Sequence, residues 1–138
     1  LKKGDYIRSF GYVKVLKGGK EFYFATTHLD HKYEDAARLL QINEILSHVE
    51  QLDLPVILGG DLNSRRGSAT MEAFQRYFTV NCLSDGAPWT VPAPNPTYAC
   101  DWLIYAPNKA FVVKAYNVCY WADKESDHFP VTATYVIR

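Results

Sequence analysis

Short apolar runs, separated by glycine, proline and clustered polar residues, dominate this chain, and the period of each run predicts an element. Residues 6–16 and 21–29 are rich in Tyr, Phe, Val, Ile and Thr and flank Lys17-Gly18-Gly19-Lys20. Two such runs around Gly-Gly predict a β-hairpin. Alternation along the second run places Phe22, Phe24, Thr26 and His28 on one face. The period then changes. Leu39, Ile42, Leu46 and Val49 recur at intervals of three and four, which predicts a helix over 33–52. Glu34 and Asp35 fall in its expected first turn, where the dipole favours them.

Pro55 opens the run Val56-Ile57-Leu58, and Gly59-Gly60 close it. So short and uniform an apolar run predicts a strand buried on both faces, the centre of the domain. Residues 68–78 predict a second, shorter helix with Ser68 as its N-cap. Residues 84–97 carry Pro88, Pro92, Pro94 and Pro96 and predict a long loop of functional type, which Trp89 is expected to anchor. Strands are predicted over 99–106, 111–121 and 129–137, the first two joined at Pro107-Asn108-Lys109. The order β-β-α-β-α-loop-β-β-β implies an α/β or α+β layered domain.

Composition narrows the class. At 138 residues, 48% hydrophobic and 14% aromatic, the chain suffices for one domain with a core and is too apolar for disorder. Lys plus Arg equal Asp plus Glu at 15 each, so no net basic field argues for nucleic acid. No apolar stretch reaches transmembrane length and no signal peptide is visible. Cys82, Cys100 and Cys119 are widely spaced, odd in number and form no C-x-x-C pair, so buried free thiols are expected. Strand-like sequence follows almost directly on Leu1, and the expectation is a piece of a longer protein.

Four polar clusters fall at predicted strand ends: His28/Asp30, Asp61/Asn63, Asp101, and Ser126/Asp127/His128. Polar groups that end separate strands can converge on one rim of a sheet. Asp61 and Asn63 lie two apart and point the same way if the strand continues through them. The first offers an anionic oxygen suited to Mg²⁺, the second an amide that can donate to a phosphate oxygen. Asp101, inside an apolar run, needs a partner such as a salt bridge or a histidine. Adjacent Asp127 and His128 point in different directions, so Asp127 on a metal and His128 oriented by Asp101 is one consistent arrangement. Carboxylates, histidines and an amide suit metal-assisted hydrolysis of a phosphate ester: hard oxygens for the cation, a carboxylate-oriented His as base, and donors for the developing oxyanion. A Ser-His-Asp hydrolase is disfavoured, because there is no G-x-S-x-G. Each cluster also has a structural reading, as an Asx-turn, a hydrogen-bonded core histidine, a buried ion pair or an ordinary turn.

Thr27-His28-Leu29-Asp30, Gly60-Asp61-Leu62-Asn63-Ser64, Asp101-Trp102-Leu103-Ile104 and Ser126-Asp127-His128-Phe129-Pro130-Val131 occur in that order. The set resembles the endonuclease/exonuclease/phosphatase superfamily, and only the C-terminal half of that family's domain. The resemblance implies that residues 1–138 form a single domain fragment, one half of a four-layer α/β/β/α sandwich, with a mostly antiparallel or mixed sheet and two helices on its outer face. It implies His128 as the catalytic His, Asp101 orienting it, Asp61 near the nucleophile or on the metal, and Asn63 holding phosphate. His28 becomes a second phosphate contact or proton donor, Asp127 a metal ligand and Ser126 a supporting residue. The implied cofactor is Mg²⁺, with Mn²⁺ as a substitute. The implied substrate is a phosphate ester: nucleic acid, a phosphorylated small molecule or a lipid head group.

The family's N-terminal half carries an Asn and a metal-binding Glu, and nothing here matches them. The inner sheet face, including Phe22 and Phe24, is therefore expected to lack a partner, to be met by a missing N-terminal half of the domain or by self-association of the fragment. The alternative is a pseudoenzyme, a non-catalytic fragment that keeps the fold and binds a partner through its exposed sheet.

Overall fold

The computed structural model describes residues 1, 6–32, 34–80 and 88–138. Cys82 and the first part of the predicted loop, residues 84–87, lie outside the described residues.

The Gly-Gly turn forms as its residues dictate. Strand β1 (Phe10–Lys17) pairs antiparallel with β2 (Lys20–His28), with Lys17 opposite Lys20. Gly18 and Gly19 between them have φ of 57° and 76°, the two positive values that a tight twisted hairpin turn requires. From β2 the chain crosses through α1 (Ala36–Val49) to β3 (Val56–Asp61), which lies parallel to β2. After α2 (Ala69–Gln75), β4 (Asp101–Ala106) returns antiparallel to β3. The sheet is therefore mixed, in the order β1-β2-β3-β4. The Ser68 hydroxyl accepts the Met71 N–H and caps α2, as predicted.

Helix α1 is shorter than the predicted 33–52. Asp35 stands at its N-cap position and no acid lies in its first turn. The Asp35 carboxylate instead accepts from Arg38 and from the Thr70 hydroxyl, which ties α1 to α2. Ile42, Ile45 and Val49 face the sheet, where Ala25, Val56, Leu58, Trp102 and Ile104 meet them together with Met71 and Phe74 of α2. Both helices thus cover one face of the sheet and make the main core.

The last two strands stand apart from this sheet. β5 (Phe111–Val118) and β6 (Val131–Ile137) pair with each other and form a separate two-stranded sheet. It lies on the face opposite the helices, where Phe111, Tyr135 and Ile137 pack with Ile57 and Tyr105. Phe22 meets Phe111 edge to face, with ring centroids 6.0 Å apart, and so has a partner. Phe24 remains 41% exposed, so only part of that face is left open. Trp89 is also exposed rather than anchoring its loop; it is its carbonyl that accepts from the Tyr120 hydroxyl. Of the described cysteines, Cys100 is a buried free thiol and Cys119 a half-buried one.

Gly60 is the point where the central strand turns toward its polar end. Its φ is 155°, and a Cβ there would lie 1.9 Å from the Thr27 carbonyl oxygen. Gly18 has open space around the same position. Gly60→Ala is expected to cost about 3 kcal/mol, from backbone strain and overpacking together. Gly18→Ala, which meets only the left-handed backbone penalty, should cost about 1 kcal/mol. Urea unfolding midpoints of the two variants check this; equal losses would remove the close approach at Gly60 as the cause.

Candidate active site

Strand register builds the site. Across β2, β3 and β4, His28 is the partner of Asp61 and Asp61 the partner of Asp101. Three titratable side chains therefore stand in one row, on the sheet face away from the helices, where the parallel strands end and β4 begins. His28 Nε2 lies 3.3 Å from Asp61 Oδ2. The fourth member, His128, comes from the segment that precedes β6, and its Nδ1 lies 2.9 Å from Asp101 Oδ2.

Asp101 is held from several sides. Its Oδ2 accepts the Thr90 hydroxyl at 2.6 Å and the Cys100 thiol at 3.5 Å besides facing His128. The Thr90 hydroxyl in turn accepts the Cys100 N–H at 3.2 Å. Thr90 was invisible as a site residue in the sequence: it sits in the proline-rich loop, and only the fold brings that loop beside β4. The alternation of β4 sends the next side chain, Trp102, to the helix face, where its indole donates to the Ser64 carbonyl at 2.9 Å. That bond fixes the segment following β3.

In that segment the strand does not continue through Asn63, and the Asx-turn, the structural reading of this cluster, forms instead. Asn63 has φ of 45°; its N–H donates to Asp61 Oδ1 at 2.8 Å and its amide to the Leu29 carbonyl at 2.9 Å. Asn63 nevertheless lines the same cavity of about 570 Å³ as His28, Asp61, Asp101, Asp127 and His128. Adjacent Asp127 and His128 were expected to diverge, yet both reach this cavity. The Ser126 hydroxyl accepts the His128 N–H at 3.1 Å and shapes this turn.

Asp30 is not part of the site. It is fully buried, and its carboxylate accepts backbone N–H groups of Tyr6 and Lys32. Two cavity residues that sequence reading missed are Arg8, concealed within a predicted strand, and His31, at the end of the His28 cluster.

The two site histidines are pushed in opposite directions. Burial lowers the pKa of His28, and the positive charges of Arg8 and His128 add to this, so that Asp61 does not restore it. Burial also disfavours the charged form of His128. Its hydrogen bond to Asp101 and the charges of Asp101, Asp61 and Asp127 outweigh that, and its pKa is raised. Burial, reinforced by the charges of Asp101 and Asp61, pushes the Cys100 thiol far above the usual range, so the sulfur stays protonated. The two imidazoles thus differ: His128, held by Asp101, is the stronger base of the pair and His28 the weaker. NMR titration is expected to place His128 above and His28 below the ordinary imidazole value of about 6.5. In Asp101→Asn, His128 should fall, because burial then opposes the charge with less compensation. The raised His128 value adds stability at low pH that is lost as pH rises through it. A His128 titration indifferent to Asp101→Asn would contradict the pairing.

No family model matches the chain. Sphingomyelinase C 1 of Leptospira interrogans is 37% identical to it over 73 residues, covering 46% of this chain and 12% of the sphingomyelinase. The fold is similar to that of a conserved protein of unknown function from Enterococcus faecalis, with TM-score 0.78, 23% identity and coverage of 95% of this chain and 56% of the other. It is similar to an endonuclease/exonuclease/phosphatase family protein from Bacteroides thetaiotaomicron, with TM-score 0.74 and 25% identity over 100% of this chain and 59% of the other. It is also similar to a mannosyl-6-phosphatase of the same organism, with TM-score 0.73 and 25% identity over 99% and 61%. The chain thus spans little more than half the length of these solved structures.

Proposed function

We propose that this chain, recognised by fold and motifs as part of an endonuclease/exonuclease/phosphatase family domain, supplies the C-terminal catalytic half of a metal-dependent phosphoesterase. The observation that carries the reading is the in-register row His28, Asp61, Asp101, closed by His128 on Asp101. A structural ion pair needs two of these groups, and a rim with four convergent titratable groups suits chemistry better.

Asp61, Cys100, Asp101 and His128 offer ligand atoms within 4.8 Å of one another. Asp101 Oδ2 and His128 Nδ1 face each other at 2.9 Å, which leaves the Asp61 carboxylate outside that pair. A hard divalent cation fits: Asp61 and Asp127 would hold Mg²⁺, or Mn²⁺, through carboxylate oxygens beside the same cavity. Bound there, the cation neutralises phosphate charge and polarises the phosphoryl group.

The remaining work falls to this chain's own side chains. With Nδ1 engaged by Asp101, His128 keeps Nε2 to take a proton from water or to contact the scissile phosphate. Asp101, held by Thr90, fixes the ring. Asn63, its amide anchored on Leu29, and His28, favoured neutral, donate to phosphate oxygens. The sphingomyelinase and the mannosyl-6-phosphatase support phosphate-ester chemistry in general and differ in ester type. One observation favours the second reading, a fold that binds a partner without catalysis: Phe24 on the inner sheet face remains exposed.

The test is hydrolysis of p-nitrophenyl phosphate and bis(p-nitrophenyl) phosphate by this chain, with Mg²⁺ and with chelator. Turnover is expected with Mg²⁺ alone and should fall about a hundredfold or more in His128→Ala and in Asp61→Asn. No turnover here, but turnover once an upstream half is restored, would make this an incomplete half of the enzyme; silence in both forms would favour the non-catalytic reading.

A further inference from the structure

Arg8 is unaccounted for by the chemistry above. It lines the same cavity as His28, Asp61 and Asn63, and it is the only permanently charged cation among the described residues that do. No described carboxylate pairs with it. Asp61 faces His28, and Asp101 faces His128. Arg8 is held instead by neutral groups. Its Nη2 donates to His31 Nδ1 at 3.4 Å, and its guanidinium carbon lies 5.6 Å from the centre of the Tyr6 ring. The Tyr6 ring in turn lies 4.5 Å from that of His31. Nε is buried without a hydrogen-bond partner. A guanidinium without a described carboxylate partner, beside a polar cavity, is set up for an anion from outside.

We propose that Arg8, positioned by His31, is a phosphate-binding residue that selects terminal phosphate groups, so that the substrate class is phosphomonoesters. This rests on the phosphoesterase reading and deepens it. A guanidinium fork takes two oxygens of one phosphate. A diester offers two non-bridging oxygens, which the fork, the carboxylate-held cation, Asn63 and the histidines would have to share. A monoester offers three. It also carries a second negative charge, which the Arg8 guanidinium, without a described carboxylate partner, can pair with.

The experiment measures binding, so it does not depend on turnover. Inorganic phosphate and dimethyl phosphate are titrated into the chain in chelator, by calorimetry, alongside Arg8→Gln and Arg8→Lys. The wild-type chain is expected to bind phosphate about tenfold or more tightly than dimethyl phosphate. Arg8→Gln should lose that margin with an unchanged urea midpoint. Arg8→Lys, which keeps the charge without the fork, should bind phosphate several-fold more weakly. If Arg8→Gln does not fold, Arg8→Lys carries the test. Wild-type affinity in either folded variant, or equal binding of the two anions by the wild type, would overturn the assignment. Phosphate selectivity with no hydrolysis, with or without an upstream half, would instead leave Arg8 assigned and remove the catalytic reading.

Discussion

The in-register pairing of β2, β3 and β4 is the constraint on which the site depends. Backbone hydrogen bonds bring His28, Asp61 and Asp101 side by side, at the strand spacing of about 4.8 Å. A one-residue slip of either neighbour would send its polar side chain to the helix face and into the core. The core forbids such a slip, because Leu58, Trp102 and Ile104 must stay on the buried side. Site geometry and core packing are thus one requirement, imposed by the two-residue period of the strands.

Gly60 belongs to the same constraint. Thr27, its partner on β2, brings its carbonyl where a Cβ would stand. The close approach lets Asp61 follow directly in register with His28. The hydrogen bonds that extend the pairing, Leu29 N–H to the Asp61 carbonyl and Leu62 N–H to the Cys100 carbonyl, anchor the loops on both sides. The polar rim is held by these backbone bonds.

Much of this was legible in the sequence because it is local or periodic. The Gly-Gly hairpin, the Ser68 cap, the apolar strand after Pro55 and the polar strand ends each follow from neighbours within a few residues. What escaped was set by long-range placement. The proline-rich loop gave no sign that Thr90 would reach Asp101, eleven positions on in the chain. Arg8 read as one more residue of a strand. Asp61-Leu62-Asn63 was open to both an extended run and an Asx-turn, because nothing in it states that the third residue turns left-handed, a conformation asparagine tolerates better than most. Asp30 fell in the same polar cluster as His28, but the strand ends at His28, and the chain beyond it buries Asp30 as an acceptor of backbone N–H groups.

The separate β5–β6 sheet changes the question raised by the apolar inner face. Phe22, Ile57 and Tyr105 at one end of that face have a lid in Phe111, Tyr135 and Ile137. Phe24 and Leu103 toward the polar end line an open cavity that reaches Asp61 and His128. The exposed apolar area is therefore continuous with the site. Whatever fills that cavity would also exclude water from the His128–Asp101 pair, and exclusion of water strengthens each charge interaction there. The apolar face and the polar rim are two walls of one cleft, and an occupant of the first would tune the second.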